Sequence, residues 1–539
     1  MNAPRRDGPR RDGPRRGRRD HGAHPAPPRG RVGPGRPPEL DPARQAALEL
    51  LTAVRTRDAY ANLALPAILR RHRLRDRDAG LATELGYGTL RARGLLDAII
   101  EACTDRPLNR VEPPLLDALR LGAYQLLRTR VPAHAAVDTT VELVRAEAGS
   151  RSAGFVNAIL RKVGELDEPA WVQGLAPAAA DDPVGYAAFA HAHPRWIAQA
   201  FADALGPGAL APVASARAPG AAAPGAAAPG AAAPDAAPGA GAPGAGAPDG
   251  PAPTGADPGP TELAAALAAD DARPAVHLLG RPGEITAAEL ALVTGGTEAP
   301  YSPYGVQLEP GSGDVGELEV VREGLAIVQD EGSQLVALAA VRAPLVGADG
   351  GRWLDLCAGP GGKSVLLGAL AALDGAAVDA VEVSEHRADL VRRAVDGLPV
   401  TVHLADGRHA PLPAGGYDRV LVDAPCSGLG ALRRRPEARW RRSPDDVSGL
   451  TRLQRELLTA ALRHVRPGGV VAYVTCSPHL AETVGVLSGV LRRHPGVERL
   501  DARELLPGVP DLGPGPTVQL WPHRHGADAM FLAVLRRLT

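Results

Sequence analysis

The run Leu354-Asp355-Leu356-Cys357-Ala358-Gly359-Pro360-Gly361-Gly362-Lys363-Ser364 constrains this chain more than any other stretch. Trp353 to Leu356 reads as the end of a buried strand. Gly359, Gly361 and Gly362 make a tight turn, and Val365-Leu366-Leu367 continues an apolar helix that opens near Lys363. Strand, glycine turn and helix N-terminus together form a cradle for a nucleotide-like ligand, because the free N–H groups of the first helical turn point at it.

Position argues against two familiar readings of this loop. A P-loop needs Gly-x-x-x-x-Gly-Lys-Ser/Thr. Gly362-Lys363-Ser364 supplies its end and Val420-Leu421-Val422-Asp423 imitates its partner strand, but Cys357 stands where the first glycine belongs. The dinucleotide fingerprint Gly-x-Gly-x-x-Gly fails at Ser364. Glu382, however, lies about twenty residues beyond the turn, the spacing at which an acid meets ribose hydroxyls. An adenosine ligand without a pyrophosphate fits best, and S-adenosylmethionine is one. Glu382 would meet its ribose and Asp406 its adenine. Its sulfonium is positive, so carboxylates should face it.

The chain has 539 residues, which predicts two to four domains. It is 45% hydrophobic and 22% charged, enough for sizeable cores. No apolar run reaches the roughly 18–20 residues that span a bilayer, and no secretory signal is present, so a cytoplasmic protein with no membrane contact is expected. Lys162 and Lys363 are the only lysines, so an ammonium in the glycine turn stands out against an arginine background. The four cysteines, Cys103, Cys357, Cys426 and Cys476, form no CxxC pair. Neither a zinc site nor a disulfide framework is expected; the metal expectation is none.

Composition and periodicity divide the chain. Residues 1–40 are an Arg/Pro/Gly tail that cannot bury a core and should be disordered, either contacting RNA phosphates or acting only as a solubilising tail. Residues 41–165 repeat apolar side chains at three and four (Leu81-Leu85, Leu95-Leu96-Ile99-Ile100, Val137-Val141-Val144), with breaks at Pro107, Pro113-Pro114 and Pro132. They predict a bundle of five to seven helices, punctuated by basic residues from Arg70 to Lys162 that make RNA contact a secondary expectation. Residues 166–205 read as connecting helices and 206–260 as an Ala/Pro/Gly linker insertion. Residues 261–328 read as a small α+β lobe, with a helix near Glu262 to Ala268 and a strand at Ala275 to Leu279. From residue 329 to 539, strands and helices alternate as in a doubly wound sheet. Asp355, Glu382, Asp406 and Asp423 then fall at or just past successive strand ends, on the edge where such sheets bind ligands.

Cys426 and Cys476 fall on the same edge. A thiolate that adds to C6 of a pyrimidine makes C5 enamine-like, able to attack an electrophilic methyl. That chemistry needs a nucleophilic cysteine, an acid near N3, for which Asp423 is placed, and a base. For Cys357 inert packing near the cofactor is expected; the contexts Asp-Ala-Pro-Cys-Ser-Gly and Thr-Cys-Ser-Pro make inert packing the weaker reading for the other two.

Two resemblances follow from these residues. The runs Glu84-Leu85-Gly86-Tyr87-Gly88-Thr89-Leu90, Leu121-Gly122-Ala123-Tyr124-Gln125-Leu126-Leu127 and Phe155-Val156-Asn157-Ala158-Ile159-Leu160-Arg161-Lys162 resemble the NusB family of RNA-binding helical domains. Asp355 to Ser364, Asp423-Ala424-Pro425-Cys426-Ser427-Gly428 and Tyr473-Val474-Thr475-Cys476-Ser477 resemble the motifs of RNA cytosine-C5 methyltransferases of the NOL1/NOP2/Sun type, in the RsmB/Fmu branch. The combined resemblance implies a NusB-like bundle followed by a Rossmann-like S-adenosylmethionine-dependent domain, acting on a cytosine of 16S ribosomal RNA, free or in a partly assembled subunit, as a monomer. It implies Cys476 as nucleophile, Cys426 in product release, Asp423 at the base and Lys363 at the cofactor–base junction. Cys357, Ala358, Gly359, Pro360, Gly361, Gly362 and Lys363, with Glu382, Asp406 and Asp423, would hold the cofactor.

The chain departs from this pattern in places. Gly359 replaces a common alanine, Ser364 a common threonine and Glu382 a common aspartate, and His277-Leu278-Leu279-Gly280 replaces the usual small-lobe strand. The run Arg433 to Arg442, with Trp440, adjoins the Cys426 loop and reads as an RNA groove with a stacking aromatic. An inactive RNA-binding assembly factor is the alternative from another class; the retention of Cys426 and Cys476 beside Asp423 speaks against it.

Overall fold

A computed structural model describes residues 40–211, 261–309 and 311–539. The tail, apart from residue 40, and the insertion, apart from residues 206–211, lie outside the described residues.

The N-terminal bundle begins where the sequence supplies a cap. The Asp41 carboxylate accepts from the Arg44 N–H at 2.9 Å, and Pro42 opens the first helix, Pro42–Arg57. Helices Ala61–Arg71, Asp76–Ala102, Pro113–Arg128 and Ala133–Val163 follow. The prolines predicted to break the pattern do so, and Gly149 interrupts the last helix with a φ of +82°. Leu50, Leu85, Leu95, Leu96, Ile99, Leu119 and Leu160 are buried in the common core.

The second half is a mixed eight-stranded sheet, labelled here in chain order: β1 Arg352–Asp355, β2 Ala377–Glu382, β3 Val400–Leu404, β4 Tyr417–Asp423, β5 Val465–Thr475, β6 Val497–Leu500, β7 Val518–Gln519 and β8 Phe531–Arg537. The strand order is β6-β8-β5-β4-β1-β2-β3, with β7 beside β8. Pairs from β3 through β5 are parallel, and β8 joins β5 antiparallel. Parallel central strands need cover on both faces. Helices Glu331–Arg342 and Gly362–Asp374 cover one through Leu335, Val336 and Leu367. Helices Pro444–His464 and Val484–Leu491 cover the other through Leu457, Leu458 and Leu487. The helix Pro444–His464 starts where Ser443 and Asp446 form a reciprocal capping box.

A four-stranded antiparallel sheet of Thr297–Glu298, Gly305–Leu308, Val276–Gly280 and Ala326–Val328 makes the small lobe. Its His277 is buried at 3% exposure and lies 3.4 Å from Asp330, so it faces the catalytic half and not an RNA surface. The helix Glu262–Asp271, grouped with this lobe on sequence, packs elsewhere. Its Leu263 and Leu267 join Val184, Ile197 and Phe201 of the connecting helices, together with Leu429, Leu432 and Trp521 of the catalytic half. Residues 206–211, expected to be linker, end this unit: Ala209 is buried and its carbonyl accepts from the Leu263 N–H at 2.8 Å.

The arginine run overturns the expectation of an RNA groove. Arg433 and Arg434 bind Asp528 and Asp330 inside the catalytic half. Arg439 is fully buried and donates to the carbonyls of Arg91 and Ala192 and to the carboxylates of Asp270 and Asp271. Trp440 donates from Nε1 to the Leu90 carbonyl at 2.8 Å and lies over Gly94, where a Cβ would come within 2.2 Å of the ring. Arg441 donates to the carbonyls of Val54 and Ala59. The segment pins the bundle and the connecting helices to the catalytic half. Arg91, within the run of basic residues that raised the expectation of RNA contact, is buried in the same seam. Among the described residues, no helix is long and apolar enough to cross a membrane.

Burial alone would raise the Asp271 carboxyl, but Arg439 and Arg128 outweigh it and hold it well below the usual carboxylate range. The unfolded chain therefore binds a proton near pH 4 that the folded chain refuses, so this contribution to stability is present above that pH and fades below it. Arg439→Met should cost about 3–5 kcal/mol at pH 7 in urea unfolding, because it strands buried carboxylates. The gap from the unsubstituted chain should narrow as pH falls below about 4. A cost under about 1 kcal/mol would show that the pin does not hold the halves together.

Candidate active site

Four strand ends meet on one edge of the sheet. β1 ends at Asp355, β2 at Glu382 and β4 at Asp423, and β3 ends at Leu404, two residues before Asp406. The chain after β1 is held between its neighbours: the Leu356 N–H donates to the Leu421 carbonyl and the Ala358 N–H to the Val381 carbonyl, each at 2.9 Å. The glycine turn follows and delivers Lys363 into the first turn of the helix Gly362–Asp374.

Ser364 Oγ donates to Asp355 Oδ2 at 2.7 Å. Burial pushes the Asp355 carboxyl up to about 6. Its Oδ1 is buried without a partner, as are both polar atoms of the Gln329 amide, which lies beside Gly362. Glu382 accepts from the Gly359 N–H at 3.1 Å and the Ser384 N–H at 2.8 Å, and pairs with Arg387 at 2.8 Å. A turn edged by acids, with three orphaned polar atoms against it, fits a polar ligand that carries hydroxyls and a positive charge. S-adenosylmethionine has both. Asp406 stands on the same edge, where the Ala405 N–H donates to the Glu382 carbonyl at 3.1 Å. Its carboxylate is clasped by Arg408 at 2.6 Å and held down to about 2 by that guanidinium. An adenine amino group would have to share it.

Lys363 Nζ donates to Asp423 Oδ2 at 2.7 Å. Burial alone would lower the Lys363 ammonium, but the adjacent Asp423 outweighs burial and raises it, so it stays charged. Beyond Asp423, the parallel register of β4 and β5 sets Asp423 opposite Val474. The Ala424 N–H donates to the Val474 carbonyl and the Gly430 N–H to the Cys476 carbonyl, both at 2.9 Å. These bonds hold the two cysteine loops side by side, with Cys426 Sγ 3.2 Å from Cys476 Sγ. The Cys426 thiol is pushed well up, first by its hydrogen bond with Cys476 and then by burial, so it is protonated near neutral pH. Burial also raises Cys357, which packs against the apolar cluster under β4 and β5.

The sequence-predicted residues thus converge, apart from the arginine run. Two buried neighbours escaped the sequence reading. Gln329 precedes an unremarkable helix start. Glu482, six residues beyond Cys476, looks like an ordinary acid before the apolar run Val484–Leu491. The histidines after Trp521 are structural: His523 meets Glu262 at 2.6 Å, and His525 accepts from the Trp521 N–H at 2.8 Å. Among the described residues, no group of three or more His, Cys, Asp and Glu could hold a metal ion.

Comparison with known proteins agrees with this geometry. The family model described as 16S rRNA methyltransferase RsmB/F matches residues 343–536, and that of the NusB family matches residues 41–165. A Mycobacterium tuberculosis protein, whose name goes no further than methyltransferase, is 57% identical over 95% of this chain and 100% of its own length. Ribosomal RNA small subunit methyltransferase B of Pseudomonas putida is 31% identical over 85% of this chain and 91% of its own length. The crystal structure of PH0851 shares the fold, with a TM-score of 0.69 at 20% identity over 93% of this chain and 99% of that one. The chain therefore belongs to the RsmB/F family: it is an S-adenosylmethionine-dependent ribosomal RNA methyltransferase with a NusB domain at its front.

Proposed function

We propose that this chain methylates C5 of a cytosine in small-subunit ribosomal RNA through a covalent protein–RNA adduct. The observation that carries this reading is the pair of thiols 3.2 Å apart beside a Lys363–Asp423 ion pair, at the carboxyl edge of the sheet. Cys476 adds as thiolate to C6 of the base. The 5,6 double bond opens and C5 becomes nucleophilic. Asp423, oriented by Lys363, meets the base at N3. The bound cofactor supplies the electrophilic methyl group. Cys426, once deprotonated, then takes the C5 proton; the C5–H electrons re-form the double bond, the Cys476–C6 bond breaks and the thiolate leaves. The raised Cys426 thiol keeps its proton while Cys476 attacks, and must give that proton to solvent before it can take the one on C5. The target base must leave its stack to reach Cys476. The substrate is RNA, free or in an assembling subunit, and the enzyme acts as a cytoplasmic monomer.

The residues Cys357 to Lys363 form the cofactor seat in this reading, with Glu382 on its ribose, Asp406 at its adenine and Asp423 facing the transferred group. Two departures from the family pattern explain each other. A Cβ on Gly359 would lie 2.2 Å from Glu382 Oε2. The longer Glu382 is therefore accommodated by the loss of the alanine methyl at 359. Gly359→Ala should weaken cofactor binding about tenfold or more, the cost of an overpacked contact. The pair Gly359→Ala/Glu382→Asp should regain most of it. Calorimetric titration with the cofactor measures both; equal affinity of Gly359→Ala and the unsubstituted chain would remove the argument for compensation.

Cys476→Ala should keep cofactor affinity and lose methyl transfer to ribosomal RNA by about 10³-fold or more, the scale for removing a nucleophile. Cys426→Ala should leave protein covalently attached to RNA on denaturing gels. Full activity of the first variant, or no adduct with the second, would contradict the assigned roles.

A further inference from the structure

Glu482 ties the two cysteine loops together. It lies at the N-terminal side of the helix Val484–Leu491 and is 0% exposed. Its Oε1 accepts from the Ser427 N–H at 2.8 Å and from Gln454 Nε2 at 3.0 Å. Its Oε2 accepts from Ser477 Oγ at 2.7 Å and also from Ser427 Oγ. Ser427 follows Cys426 directly, and Ser477 follows Cys476. The two serine hydroxyls lie 3.0 Å apart. Gln454 extends the tie by donating to the Pro425 carbonyl at 2.9 Å, on the other side of Cys426. One more bond anchors the acid from below: Tyr473 Oη donates to the Glu482 carbonyl at 2.7 Å.

A buried carboxylate is expensive to hold unless it is paired or fully hydrogen-bonded. This one is not within an ion pair among the described residues; four donors satisfy it. Those donors come from three separate segments, two of which carry the thiols. A neutral, apolar residue here would fill the space at lower desolvation cost, so the charge is not needed for packing alone. Fixed donors aimed at a central acceptor set the distance between the loops that bear them.

We propose that Glu482 is a positioning residue that clamps Cys426 against Cys476, and that it governs how fast the covalent adduct is released. The clamp rests on the two-cysteine reading above. Its carboxylate bonds go to Ser427, Gln454 and Ser477 and to none of the residues Cys357 to Lys363, so its loss should leave cofactor binding alone. The outer loop, Cys426 to Gly428, should then drift from Cys476, and misplacement of a reacting group by about 1 Å costs on the order of 10²-fold in rate. Release should suffer more than attack, because Cys476 also sits at the end of a central strand held on both sides by β4 and β8.

The test compares full-length Glu482→Gln, Ser477→Ala and Cys426→Ala with the unsubstituted chain. Each is given S-adenosylmethionine and ribosomal RNA. Turnover at saturating RNA, cofactor affinity by calorimetry and denaturant-stable protein–RNA adduct are measured. Glu482→Gln keeps the size and one acceptor oxygen but puts an amide donor among donors. It should keep cofactor affinity within about threefold, lose turnover by about 10- to 100-fold and accumulate adduct. Ser477→Ala removes one arm, should fold in any case, and should show the same pattern at lower amplitude. Turnover of both variants within threefold of the unsubstituted chain would overturn the clamp. So would a loss of turnover without adduct while Cys426→Ala does accumulate it, since that is the signature of general disorder. If Cys426→Ala itself forms no adduct, the two-cysteine reading fails, and the clamp with it.

Discussion

The site depends on one constraint: β4 and β5 are parallel neighbours in fixed register. Asp423 lies opposite Val474, so the loops that leave these strands start side by side. Two thiols separated by 50 positions in the chain then meet at 3.2 Å. A slip of one residue would turn every side chain of β5 to the other face and carry Cys476 away from Cys426. The register is in turn fixed by burial on both faces, through Val420, Val422, Val471 and Tyr473 below and Leu421, Ala472 and Val474 above. Sheet packing far from any substrate thus decides whether two cysteines can share one base.

The second half of the design is how the NusB bundle is held to that sheet. The link is polar and buried. Arg439 reaches carbonyls of the bundle and of the connecting helices and carboxylates of the helix Glu262–Asp271, and Trp440 lies against the bundle at Gly94. A fork of fixed donors can satisfy several backbone carbonyls at once, which an apolar contact cannot do. This segment begins just beyond the Cys426 loop, so the element that locks the halves together is continuous in sequence with one that bears a reactive thiol.

Much of this was legible from residues alone. Hydrophobic period and proline breaks gave the bundle, and alternation of strand and helix gave the sheet and its acid-lined edge. Cys357 in place of a P-loop glycine argues against a phosphate loop from the sequence alone. What could not be read depends on partners far away in the chain. Arg433 to Arg442 looks like a solvated basic strip, and nothing local reveals that Asp270, Asp271, Asp330 and Asp528 will meet it. The helix Glu262–Asp271 follows a long insertion and so reads as the start of the next lobe, although Leu263 and Leu267 complete the core of the previous one. Glu482 is one acid among 61 acidic residues until its four donors are seen.

The atom that receives the methyl group decides which reaction this site performs. Small-subunit ribosomal RNA incubated with the full chain and S-adenosylmethionine labelled in its methyl group, then digested to nucleosides and separated by chromatography with mass detection, reads that atom directly. The label is predicted in 5-methylcytidine. Label in any other nucleoside, or none in cytidine, would contradict the account.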